Sequence, residues 1–252
     1  SSNVNTDEAV LKNVFSKYFK IGTAVSASEV RNHSDFVLKH FNSITPENEL
    51  KPENILDQAA SKSKGNNVDP QVYLNSNAKA ILDFAVKYNI PVRGHTLVWH
   101  SQTPEWFFKE DFDEKKDYVS PEKMTKRMEN YIKSYFETLT ALYPDIDFYA
   151  CDVVNEAWLE GGTPREAGEQ GSSGSAKSAW VSVFGDNSFI ESAFTFARKY
   201  APEGCKLYYN DYNEYMDGKM NAIIDMAKDL KEKGLIDGIG MQSHLDARQS
   251  LD

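Results

Sequence analysis

Cysteine is scarce in this chain, two residues in 252, too few for the disulfide framework that staples small secreted domains. Cys151 and Cys205 both fall in apolar, strand-like runs, where a buried free thiol is the simpler reading and a bridge cannot be assigned. Also missing is any apolar run of the roughly 18 residues that a membrane span needs, in keeping with a mean hydropathy of −0.56. No basic stretch offsets the net charge of −10, which argues against a nucleic-acid partner. The opening "SSNVNTDEAV" lacks the charged-then-apolar layout of a signal peptide, as expected of a mature or trimmed form. Histidines number only five, and the offset between His95 and His100 points them to opposite faces of one strand. No cysteine or carboxylate cluster completes a metal site beside either of them.

What is present is an ordinary globular balance, 40% hydrophobic and 26% charged. A length of 252 residues suits one domain over 1–252, and a single α/β barrel commonly runs to about 250. Short apolar runs predict strands over 20–25, 42–45, 92–99, 148–155, 206–211 and 238–244. Helical patterns alternate with them. Residues 75–89 carry Ala78, Ile81, Leu82, Ala85 and Val86 at helical spacing. Residues 120–143 open on Ser120 as N-cap with Pro121 at the first helical position, and stop before Pro144. Residues 217–234 end on a glycine suited to a left-handed cap. Strand–helix–strand alternation implies a parallel sheet, either doubly wound or closed as a barrel. One composition shift stands out, the Gly- and Ser-rich segment 160–177 directly after Glu156. It reads as a mobile flap or as a solvated insertion.

Polar and aromatic residues collect where the apolar strands run out: Thr45 to Asn48, His95 to Gln102, Asn155-Glu156, Asn210 to Asn213, and Gln242 to His244. In parallel α/β folds the carboxyl ends of the strands form the ligand-binding face. Taken singly, "TPENELK" is also a well-formed helix start, with Thr45 capping and Glu47 and Lys51 as an i,i+4 pair. Trp99 and Trp158 suit a core as well as a platform for a sugar ring. Glu156 is harder to place structurally, because an ionisable group at an apolar strand tip needs a partner. Partial desolvation beside Trp158 favours the neutral acid that a proton donor requires. The alternative is a salt bridge to an arginine. Asn155, pointing to the other side, can hydrogen-bond a substrate hydroxyl.

Five segments in order, "TPENELK", "RGHTLVWHSQTPEWF", "DVVNEAW", "LYYNDYN" and "GIGMQSH", make the chain resemble the family 10 glycoside hydrolases, β-1,4-xylanases built on a (β/α)₈ TIM barrel. The resemblance runs from Val14 to the end. It implies endo-hydrolysis of xylan with retention of configuration and no cofactor. Glu156 would be the general acid/base. Glu47, Asn48 and Lys51 would bind xylose hydroxyls on the glycone side, while His95, Trp99 and Gln102 would wall the cleaved sugar and Asn155 would hold its 2-hydroxyl. Gln242 and His244 would flank the nucleophile, and Tyr212 would contact the leaving-group side. Xylan and xylo-oligosaccharides are the expected partners, and the protein is expected to be a secreted monomer, attached to other modules in a longer chain.

The family's nucleophile is a glutamate at the tip of the seventh strand, whereas this sequence ends at Asp252, after strand six. The expectation is therefore that six of the eight βα units are present and that the working protein is longer. Asp211, Glu214 and Asp246 are the carboxylates that would have to stand in. Two other readings compete: a xylo-oligosaccharide-binding barrel that lacks a nucleophile, and a retaining hydrolase acting on cellulose or mixed-linkage glucan.

Overall fold

In the computed structural model, which describes residues 10–246 and Arg248, the apolar runs become six parallel strands. They are β1 (Gly22–Val25), β2 (Ser43–Pro46), β3 (Val92–Trp99), β4 (Phe148–Asn155), β5 (Lys206–Asp211) and β6 (Gly238–Met241). Neighbours in the sheet are neighbours in the chain, and every pairing is parallel. A doubly wound sheet reverses its order at a switch point. This one never does, so its winding is that of a barrel.

The helices that return the chain between strands include α1 (Ala27–Asn32), α2 (Ser34–His40), α3 (Ser76–Tyr88), α4 (Pro121–Leu142), α5 (Ala179–Phe184), α6 (Phe189–Tyr200) and α7 (Asp217–Glu232). Local chemistry sets their ends. Asn75 accepts from the backbone of Asn77 and Ala78 to open α3, and Asn89 closes it at φ 51°. Ser120 accepts from the Lys123 amide with Pro121 behind it, and Gly234 takes φ 70° after α7. On α3 the buried face includes Phe84, while Val86, assigned there by spacing, is 41% exposed. No helix among the described residues is long and apolar enough to cross a membrane.

Cys151 and Cys205 are free and buried, and burial pushes both thiols up, Cys205 to about 12. Two boundaries differ from expectation. The helix after β2 starts at Pro52, not at Pro46, which still belongs to the strand. β6 stops at Met241, because Ser243 takes φ 51° and leaves the extended conformation.

The segment 160–177 is exposed over much of its length and is tied to the rest of the fold at several points. Its backbone pairs with itself, Glu166 to Lys177 and Ala167 to Ser178, and packs on the start of α7 through glycines. A Cβ on Gly162 would lie 2.3 Å from the Gly218 carbonyl oxygen, and one on Gly218 would lie 2.8 Å from Gly161. Only residues without side chains let the two backbones approach so closely.

Candidate active site

Strand tips β1 to β6 border a cleft of about 710 Å³ lined by Glu47, Lys51, His95, Trp99, Asn155, Glu156, Asn210 and Gln242, among others. Glu156 is the first residue beyond β4 and takes φ 55°. For a side chain of that size the left-handed region costs about 1–3 kcal/mol, and it changes what the tip presents. Strand alternation would send Asn155 and Glu156 to opposite sides. The left-handed turn instead returns the Glu156 carboxyl to the cleft, so that both residues line it.

Glu156 is 7% exposed and the partners of its carboxyl are neutral donors, not an arginine. Trp99 Nε1 donates to Oε2 and Gln242 Nε2 donates to Oε1, each at 2.9 Å. The tryptophan in contact is Trp99, across the sheet, and not the sequence neighbour Trp158. Gln242 Nε2 also donates to Asn155 Oδ1 at 3.2 Å, and its Oε1 receives His244 Nε2 at 3.0 Å. An amide oxygen only accepts, so His244 carries its proton on Nε2 and the orientation of Gln242 is fixed. Asn155 Oδ1 accepts from Asn210 Nδ2 as well, at 2.8 Å. With that oxygen doubly occupied, Asn155 offers the cleft an N–H donor.

Lys51 is buried. Its ammonium donates to Asn48 Oδ1 at 2.9 Å and Gln102 Oε1 at 2.8 Å, and lies 5.0 Å over the Trp99 ring. Burial pulls its pKa down, against the nearby glutamates Glu47 and Glu156. Asn48 and Gln102 thus stand behind Lys51 as its acceptors. Tyr212 rests on Lys219, whose ammonium is 3.7 Å from the ring centre. Burial raises the Tyr212 hydroxyl, and the nearby Arg165 opposes that.

His95 and His100 do lie apart. His95 faces the cleft, while His100 is buried against segment 160–177, with Nε2 3.1 Å from the Ser173 carbonyl. Burial and the charge of Arg165 lower His100 to about 3, so it is neutral and donates from Nε2.

Sequence reasoning missed two members of the site. Asp152 is buried inside β4 and receives Arg93 Nε at 3.1 Å and His95 Nδ1 at 2.9 Å. Burial opposes its charge, but the His95 hydrogen bond and the Arg93 guanidinium outweigh it and hold the carboxyl below its ordinary range. The signal was present: one charged residue inside each of two adjacent apolar strands, of opposite sign. Gly240 of β6 makes room for this group, since a Cβ there would lie 2.4 Å from Asn210 Oδ1 and 3.0 Å from Arg93 Nη2.

The carboxylates weighed as a second catalytic group lie elsewhere. Asp211 is fully buried, paired with Lys219 at 2.8 Å and bonded by the Tyr209 hydroxyl at 2.5 Å. Glu214 accepts from the Ser243 amide at 3.3 Å, and Asp246 pairs with Arg248 at 2.6 Å. None of the three lines the cleft.

Comparison with known proteins agrees with this geometry. The family model described as Glycosyl hydrolase family 10 matches residues 10–251. The bifunctional endo-1,4-beta-xylanase XylA of Ruminococcus flavefaciens is 54% identical over 93% of the chain and 24% of the relative. Endo-1,4-beta-xylanase Y of Acetivibrio thermocellus is 47% identical over 98% of the chain and 23% of the relative. The chain thus spans about a quarter of the length of these curated relatives. Among solved structures, the CBM22-1–GH10 modules of Clostridium thermocellum endo-1,4-beta-D-xylanase 10B, complexed with xylohexaose, superpose with a TM-score of 0.88 at 47% identity, over 94% of this chain and 46% of that one. The intracellular xylanase TsXylA of Thermoanaerobacterium saccharolyticum gives 0.80 at 33% identity, over 97% and 70%. Sequence match and barrel winding lead to one conclusion: the chain belongs to glycosyl hydrolase family 10.

Proposed function

We propose that the protein is an endo-β-1,4-xylanase that cleaves internal bonds of xylan with retention, and that Glu156 is its general acid/base. The observation that carries this is the setting of the Glu156 carboxyl, held in the cleft by Trp99 and Gln242. Both partners are donor-only nitrogens. Neither can take a proton from Glu156, so the O–H of the neutral acid uses a remaining lone-pair direction, toward the cleft. There it meets the glycosidic oxygen of a bound chain.

Protonation of that oxygen lets the leaving sugar depart while a second carboxylate attacks the anomeric carbon from the opposite face. The same Glu156, now a carboxylate, then takes a proton from the incoming water. The attacking carboxylate comes from outside the residues that line the cleft here. Asn155 holds the 2-hydroxyl with its free N–H, and Lys51, with Asn48 and Gln102 behind it, faces the glycone hydroxyls beside Glu47. Tyr212 serves the leaving-group side, and His244 orients Gln242. Relatives named as xylanases, and one complexed with xylohexaose, support β-1,4-xylan as the substrate. The polymer is too large to enter a cell, which supports secretion. A relative that carries a CBM22 module supports attachment to further modules.

Replacing Glu156 with Gln keeps the shape and removes the proton. The expected result in the full-length protein is a loss of xylan turnover of about 10²–10⁴-fold with xylohexaose binding retained by calorimetry. Unchanged turnover would end the assignment. The absence of Asp211, Glu214 and Asp246 from the cleft favours one competing reading, a pure xylo-oligosaccharide binder. Heat of binding without any product from the unaltered protein would decide for it.

A further inference from the structure

Segment 160–177 touches both residues that form the Trp99–Glu156 hydrogen bond. On one side Gln170 Nε2 donates to the Trp99 carbonyl at 2.6 Å, and the Gly171 amide donates to the next carbonyl, His100, at 3.1 Å. On the other side Arg165, 3% exposed, donates from Nε to the Glu156 carbonyl at 2.6 Å and from Nη1 to the Ser175 carbonyl. No carboxylate among the described residues pairs with this arginine. A guanidinium buried without a counter-ion and spent on two carbonyls is costly to keep, and here it is aimed at the one backbone that must stay left-handed.

The other groups of that turn are held too. The Glu156 amide donates to the Asn210 carbonyl at 2.9 Å, and the Ala157 amide to the Tyr209 hydroxyl at 2.9 Å. Asn187 Nδ2 donates to the Ala157 carbonyl at 3.2 Å. The Glu156 carbonyl is the group in this set that depends on segment 160–177. The planar fork of Arg165 fixes the peptide plane from which the side chain of Glu156 departs, and so where its proton points.

We propose that Arg165 is a positioning residue for proton donation by Glu156, and that segment 160–177 is the brace that carries it. This rests on the acid/base reading of Glu156. A misaimed acid penalises leaving groups that need a proton and spares those that do not. The test compares kcat/KM of the full-length protein on xylohexaose and on 2,4-dinitrophenyl β-xylobioside, whose phenolate leaves unprotonated.

Arg165→Met is expected to lose about tenfold or more on xylohexaose and little on the aryl substrate. Arg165→Lys, which keeps the charge but not the fork, should fall between Met and Arg. Melting curves check that each variant is folded, and Arg165→Lys carries the test if Arg165→Met is not. Equal losses on both substrates, or no loss in a folded variant, would overturn the proposal. Glu156→Gln serves as the reference: if it shows no such split, the acid/base reading itself fails, and the Arg165 inference falls with it.

Discussion

Asp152 answers to two partners at once, the Arg93 guanidinium below it and the His95 ring beside it. The aspartate side chain is 4% exposed and the arginine 26%, so the pair is only partly screened. Asp152→Asn removes the charge and leaves Arg93 beside a neutral amide. Discounting for the exposed end of Arg93, the expected cost is about 2–3 kcal/mol at neutral pH by urea unfolding. The sign follows from the lowered pKa of Asp152. Its stabilisation is complete above the unfolded-state pKa of about 3.9 and is lost as pH falls through the folded value. The deficit of the variant should therefore shrink below about pH 4. A constant deficit down to strongly acidic pH would mean that packing, not charge, holds this group. The pairing joins residues far apart in sequence, so no local pattern announces it. The charges at 93 and 152 were legible, but the partnership was not.

At the scale of elements, strands and helix ends were readable because their causes are local. An apolar run makes a buried parallel strand, and an Asn or Ser side chain caps the first turn of the next helix. Segment 160–177 was not readable, since glycine and serine suit a solvated loop and a docked one equally. What docks it are long-range partners, with Arg165 on Glu156, Gln170 on Trp99, and Ser173 on His100. His100 gives this docking a pH signature. It stays neutral down to about 3 in the fold, whereas an unfolded histidine protonates near 6.5. Between those values the unfolded chain binds a proton that the folded one does not, so stability falls as pH falls, by about 1.4 kcal/mol per pH unit for this one group. His100→Gln, with an amide N–H in place of Nε2–H, should flatten the acid limb of an unfolding-versus-pH curve between about pH 6 and 4. An unchanged slope would show that His100 does not contribute there.

For the whole molecule, the sequential strand order separates a barrel from a doubly wound sheet, a choice that alternating strands and helices left open. The five tip motifs, through the family they resemble, point to the same answer. Most of the candidate site was legible in the same way, as polar residues at the ends of apolar strands. Besides the Arg93–Asp152 pairing, the geometry at Glu156 was not. Residue types do not reveal that its backbone turns left-handed, that Asn155 therefore shares its cleft, or that Trp99 and Gln242 donate to its carboxyl.

That geometry is the central claim, and azide rescue tests it most directly. Glu156→Ala in the full-length protein removes both the proton donor and the base, and opens space beside the anomeric carbon. With 2,4-dinitrophenyl β-xylobioside the first step needs no acid, so the glycosyl-enzyme forms and waits for a nucleophile that needs no base. The account predicts that added azide restores turnover and that the product is β-xylobiosyl azide, with configuration retained. No azide product, or turnover that azide leaves unchanged, would contradict the placing of the acid/base at Glu156.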